Sequence, residues 1–207
     1  MNILAHGYLS ELTPLGRNDG LLLGNFAGDF IKGDPAHPRH ALLPDELLGV
    51  RLHRAIDSFT DMHPAIAAIK VLLRPRCHKY AGVAVDVFFD HFLAVQFAEL
   101  TGYQLAAFIP YFQNTLLQNT DRLPEPASRM LAAMIRYDWL THYQTVDGVD
   151  RSLKGLSRRT AFPSGLDTVI QDFTANYETI GDAFDRFWPD LVAEVRRVGG
   201  ELVQRAL

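Results

Sequence analysis

The 207-residue chain contains a single cysteine, Cys77. An internal disulfide is therefore excluded, and a reducing cytoplasmic setting is expected. Positive charge is not in surplus either. Twenty Lys and Arg against 24 Asp and Glu leave a formal net charge of −4, so nothing points to general nucleic-acid affinity, which needs a strong basic excess. Long apolar runs are missing as well. The closest, Val83 to Phe97, is interrupted by Asp86, Asp90, His91 and Gln96, well short of the ~20 continuous apolar residues of a membrane span. Met1 to Ser10 has no basic leader and carries His6 where a signal peptide needs an apolar stretch, so no secretory signal is expected. No serine stands in a G-x-S-x-G elbow, and the glycines between Gly24 and Gly33 match neither a phosphate loop nor a dinucleotide fingerprint. Cys77 lies in a basic stretch, RPRCHKY, but adjacency to His78 in sequence does not make a Cys/His dyad.

What is present is an ordinary globular balance, 48% hydrophobic and 21% charged residues, with apolar positions recurring every three or four residues and little alternation. The spacing predicts an all-α fold. A helix is expected from Leu21 to Ile31, followed by a Gly- and Pro-rich loop. A second opens at Pro44 and runs through Leu52 and Ile56. A third, capped by Asp61, begins near Pro64 and ends before Pro75. Val83 to Leu100 is the most hydrophobic. Pro110 is expected to split the next segment in two, and Pro189 to interrupt the last pattern, Leu166 to Leu207. With no repeat, linker or low-complexity tract, a single domain over residues 1–207 is expected.

Polar pairs four residues apart, on one helix face, occur in three apolar helices: Asn25/Asp29, His53/Asp57 and Asp86/Asp90. An unpaired carboxylate in such surroundings costs several kcal/mol in effective terms, so it should acquire a cation or change protonation. Arg51 or Arg54 is one source of that cation. A divalent metal is another, and it satisfies several oxygens at once. Adding His53 and His91 gives an oxygen and nitrogen set without thiolate, suited to Mn, Fe, Mg or Zn. His6 is a candidate ligand or general acid, and His63 a candidate helix-start residue.

The segments MNILAHGYLS, LLLGNFAGDFIKG, LHRAIDSFTDMHP and VDVFFDHFLA resemble the acyl carrier protein phosphodiesterase family. Weaker likenesses follow in MIRYDWLTHY, GVDRSLKGLSRR and FDRFWPDL, in one order along nearly the whole chain. The resemblance implies a compact helical bundle distantly similar to HD-domain phosphohydrolases, dependent on a divalent metal, typically Mn. It implies removal of 4′-phosphopantetheine from holo-acyl carrier protein by hydrolysis of the phosphodiester to its serine. By position, Asp29, His53, Asp57, Asp86, Asp90 and His91 become the implied metal ligands. His6, Arg54 and His63 become catalytic candidates, with Arg54 offsetting phosphoryl charge and His6 or His63 protonating the leaving oxygen. Asn25 and Thr60 become substrate-facing. The adjacent His-Asp order of HD domains is absent, and Asp90-His91 stands in its place.

The implied substrate is a strongly acidic carrier protein, which calls for a basic docking surface. Arg74, Arg76 and Lys79 form one local cluster; Arg151, Lys154, Arg158 and Arg159 form another, with Arg158 and Arg159 taken as substrate-binding candidates. Two other readings stay open: a metal-dependent hydrolase of a nucleotide or other small phosphate ester, and a non-catalytic helical carrier-protein binder.

Overall fold

The computed structural model describes residues 3–205. Met1 and Asn2 of the first family-like segment, and Ala206 and Leu207 of the last expected helix, lie outside the described residues. Those described form α-helices and short 3-10 turns with no strand among them, as the apolar periodicity predicts. In chain order the helices are α1 (Ile3–Leu9), α2 (Asp19–Ala27), α3 (Pro44–Met62), α4 (Pro64–Cys77), α5 (Ala81–Val95) and α6 (Phe97–Thr101). They continue as α7 (Leu105–Gln118), α8 (Glu125–Arg136), α9 (Trp139–His142), α10 (Val146–Ser157), α11 (Ile170–Ala175) and α12 (Tyr177–Gln204). No helix among the described residues is long and apolar enough to cross a membrane.

Several expected boundaries are corrected. Pro75, Pro110 and Pro189 do not end or split helices but sit inside α4, α7 and α12. All three are exposed, so the carbonyl that each deprives of a partner can turn to water. In α7 the buried series Leu105, Phe108, Ile109, Phe112 and Leu116 holds the helix through the proline. The cap of α4 is His63, whose side chain accepts from the Ala65 N–H at 3.2 Å; Asp61 instead pairs with Lys70 at 2.7 Å. The expected helix over Leu21 to Ile31 stops at Ala27 and passes into a 3-10 turn, Gly28–Phe30.

The chain divides into two compact units. One, called here the α5 unit, comprises Asp61–Ala106, Asp138–Pro189 and the described residues up to Leu4. Its core is aromatic: Phe88 stacks on Phe173 at 4.2 Å between ring centroids, and Phe89 meets Phe184 edge-on at 5.5 Å. The other, the α2/α3 unit, comprises Ala5–Thr60, Ala107–Tyr137 and the described part of Asp190–Leu207. In it α2 and α3 cross through glycines. A Cβ on Gly24 would lie 1.9 Å from the Glu46 carbonyl oxygen, and one on Gly49 2.2 Å from the Leu21 carbonyl oxygen. No other residue type permits that approach, which brings the polar faces of the two helices together.

Candidate metal centre

Within the α2/α3 unit, four elements converge on one polar cluster. Asn18 caps α2 by accepting from the Leu21 N–H at 2.9 Å, and from Leu21 to Ala27 the helix is buried throughout. Asn25 is therefore sealed inside, 1% exposed. The turn after α2 carries Asp29, α3 carries His53 and Asp57, and α1 contributes His6. Gly28 lies against the His53 ring, where a Cβ would come within 2.2 Å of Cγ, so only glycine lets the imidazole sit under the turn. The rings of His6 and His53 stack at 4.3 Å.

Asn25 fixes both histidines. Its side-chain amide donates to the His6 carbonyl and to Ser10 Oγ, each at 2.9 Å. With two acceptors at that end, the amide oxygen must be the atom facing His6, and it accepts from His6 Nδ1 at 2.7 Å. The backbone carbonyl of Asn25 accepts from His53 Nδ1, also at 2.7 Å. Both rings thus carry a proton on Nδ1, and in the neutral form each presents a bare Nε2 lone pair. Those lone pairs face carboxylates. His6 Nε2 is 3.2 Å from Asp57 Oδ1, and His53 Nε2 is 3.0 Å from Asp57 Oδ2 and 3.4 Å from Asp29 Oδ1.

A lone pair aimed at a carboxylate oxygen is repulsive unless a cation lies between them. In the protein alone a proton on His53 supplies that charge. Burial opposes it, but the hydrogen bonds to Asp29 and then Asp57 prevail and raise His53 to about 9. Burial likewise works against ionised Asp57, yet His53 and then His6 hold it far below the usual carboxylate range. Asp29 is also lowered: burial resists, and the bond to His53 outweighs it. The ligand atoms of His6, His53 and Asp57 lie within 4.8 Å of one another, with Asp29 alongside. Two imidazole nitrogens, oriented from behind, and two half-exposed carboxylates make a donor set that fits a divalent cation of the Mn, Fe or Zn type.

The other expected site residues are placed differently. Arg54 directs Nη2 at the carbonyls of Ile31 and Gly33, at 2.8 and 2.7 Å, which ties down the loop just after Asp29. Thr60 is partly exposed in the last turn of α3. His63 belongs to the α5 unit, where besides capping α4 its ring packs edge-on against Phe187 at 5.1 Å. Asp86, Asp90 and His91 are also in the α5 unit. Asp90, fully buried, accepts from the Leu4 N–H at 3.1 Å. His91 donates from Nδ1 to the Tyr143 carbonyl at 2.7 Å and meets the Tyr177 hydroxyl through Nε2 at 2.9 Å. Burial pushes its basicity down despite the Tyr143 bond. Asp86 is partly exposed on α5.

Of the six residues expected as ligands, Asp29, His53 and Asp57 belong to the α2/α3 unit and Asp86, Asp90 and His91 to the α5 unit. Sequence reasoning took Asn25 as substrate-facing and overlooked Ser10. The signal for Ser10 was its position four residues after His6, one turn on. Cys77 is buried, and burial raises its thiol to about 11, which leaves it unreactive.

The chain is thus an all-helical protein with two buried imidazoles facing two half-exposed carboxylates. The sequence profile of one family, acyl carrier protein phosphodiesterase, matches residues 1–191. Relatives named acyl carrier protein phosphodiesterase include one from Photorhabdus laumondii, 32% identical over 190 residues, covering 91% of this chain and 92% of the relative. Those from Shigella boydii and Enterobacter sp. strain 638 are each 28% identical, covering 94% and 95% of this chain and 97% and 98% of their own. No solved structure gives a significant match. The chain belongs to the acyl carrier protein phosphodiesterase family, and with it to the phosphoric diester hydrolases.

Proposed function

We propose that this chain hydrolyses the phosphodiester joining 4′-phosphopantetheine to a serine of holo-acyl carrier protein, leaving apo-acyl carrier protein. In this reading it uses a divalent cation, manganese first among Mn, Mg, Fe and Zn, held by His6, His53, Asp57 and Asp29. The substrate follows the names of the relatives. The single observation supporting the chemistry is the pair of Nε2 lone pairs locked toward Asp57 and Asp29 by Nδ1–H bonds to Asn25.

Such an ion, when bound, supplies Lewis acidity to a phosphodiester oxygen and makes water a better nucleophile at neutral pH. The chain's own groups set the stage for that step. Asn25 holds both rings in one tautomer, so no reorganisation is needed before the cation is gripped. Asp57 spans the two Nε2 atoms, and Asp29 backs His53 from the turn after α2. Arg54, bonded to the Ile31 and Gly33 carbonyls, fixes the chain that follows Asp29. His6 enters as a holder of the cation rather than as a proton donor, because its Nε2 is directed at Asp57. Water adds to phosphorus, the serine oxygen departs and takes up a proton, and phosphopantetheine is released.

The test is to incubate the purified chain with holo-acyl carrier protein, with added Mn and with chelator, and to follow the carrier protein's mass. Loss of the phosphopantetheine arm with Mn but not with chelator is expected. An unchanged carrier mass with Mn would overturn the proposal, and turnover of small diesters alone would favour the small-ester reading.

A further inference from the structure

The α5 unit carries a surface that the hydrolytic chemistry does not use. Arg151 and Arg158 are spaced about two turns apart along α10 and the residue that closes it, both exposed. The loop that follows turns back on itself: Thr160 Oγ1 bonds the Ser157 and Phe162 carbonyls, each at 2.8 Å. This presents Phe162 to solvent, 63% exposed. The same loop is pressed against the end of α4. A Cβ on Gly165 would lie 2.3 Å from the Arg76 carbonyl oxygen, and Lys79 Nζ stands 4.5 Å over the Phe162 ring. Arg159 lies over Trp139 at 5.5 Å. Lys79, far away in sequence, thus stands over an exposed aromatic ring three residues beyond Arg159.

The local acids cancel only part of this charge. Asp150 is taken up by Lys154 at 2.6 Å and Asp172 by Arg76. Asp167 faces Ser157 Oγ at 3.4 Å, and Asp147 sits in the first turn of α10, the end opposite Arg158. Among the described residues, Lys79, Arg151, Arg158 and Arg159 pair with no carboxylate. The negative end of the α10 dipole accounts for cations near its last turn, but not for a phenylalanine held out in water among them. An exposed aromatic side chain in an arginine-rich stretch is instead the composition of a protein-binding hot spot.

We propose that this face, bearing the exposed Phe162 with Lys79, Arg151, Arg158 and Arg159, docks the acidic surface of the carrier protein. The inference rests on the reading of that protein as substrate. Its test is the affinity of the full-length chain for apo-acyl carrier protein, which has no bond left to cleave, measured by titration calorimetry at two salt concentrations. The charge reversal Arg158→Glu/Arg159→Glu should weaken binding by more than about tenfold and flatten its salt dependence, and Phe162→Ser should weaken it by about five- to tenfold. Arg158→Lys/Arg159→Lys should retain most of the affinity, and unchanged circular dichroism in every variant ties the losses to the surface. Wild-type affinity in the reversed variant, or no binding by the wild type, overturns the proposal. Binding through this face without hydrolysis of holo-acyl carrier protein would leave the docking surface standing and overturn the substrate reading instead.

Discussion

The α2/α3 unit and the α5 unit each bury a histidine beside aspartates on apolar helices, and they treat it in opposite ways. His53 has a backbone carbonyl behind it and two carboxylates in front, and it is raised to about 9. His91 has the same kind of carbonyl behind it but a tyrosine hydroxyl in front, and burial lowers it. The carboxylate of Asp90, on the same helix, is engaged by a main-chain N–H. One arrangement sets two carboxylates before the imidazole and so favours a positive charge there; the other sets a hydroxyl before it and lets burial favour the neutral ring. The partner facing Nε2, rather than burial or spacing, separates the two.

The largest effect should come from Asp57, the carboxylate shared by both Nε2 atoms. Asp57→Asn is expected to lower Mn affinity and hydrolysis by more than about 100-fold, beyond the 10–100-fold typical of groups that only orient ligands. Retention of Mn binding by that variant in calorimetry would remove the cluster from consideration. Asn25→Ala comes next. Losing the amide frees the His6 tautomer while leaving the backbone bond to His53, so a fall in Mn affinity of about 10- to 100-fold is expected.

The contrasting position, His91→Leu, should act on stability instead. It leaves the Tyr143 carbonyl and the Tyr177 hydroxyl without partners, at a cost of about 1–3 kcal/mol in chemical denaturation, with Mn affinity retained. An Mn affinity that collapsed as in Asp57→Asn would erase the distinction between the two histidines.

The smallest and most diagnostic effect is on pH dependence in chelator-treated protein. The folded value of His53 lies above the ordinary 6.5, so its contribution is complete below 6.5 and disappears as pH rises through about 9. After allowance for the half-exposed carboxylates, that is roughly 1–2 kcal/mol. His91 has the opposite sign. Its folded value is depressed, so the unfolded chain takes up the proton first and stability falls as pH drops below 6.5. Thermal melts across pH should lose the alkaline slope in His53→Gln and the acidic slope in His91→Leu. Alkaline and acidic slopes that survived in both variants would assign the titrations elsewhere.

Much of this was legible in the sequence. The three- and four-residue apolar spacing carried the helices, and the HRAID, FTDMHP and DVFFDH blocks carried the family. Spacing also put Asn25 with Asp29, and His53 with Asp57, on common helix faces. The same spacing paired Asp86 with Asp90, but it could not say which group faces the neighbouring His91, whose Nε2 meets the Tyr177 hydroxyl. The prolines misled for a related reason: Pro75, Pro110 and Pro189 break a helix in isolation, yet on an exposed face the packing of the opposite side outweighs them.

The sequence by itself determined that this protein is helical, that its helices carry polar residues among apolar ones, and that it belongs to its family. Those properties are periodic or local, so a linear pattern records them. Only the tertiary structure decided that Asn25 orients two imidazoles, that Gly24, Gly28 and Gly49 let the helices close around them, and that Lys79 meets Phe162. Each depends on which atom faces which across tens of residues of chain, and hydrogen-bond direction is a property of that meeting rather than of either residue alone.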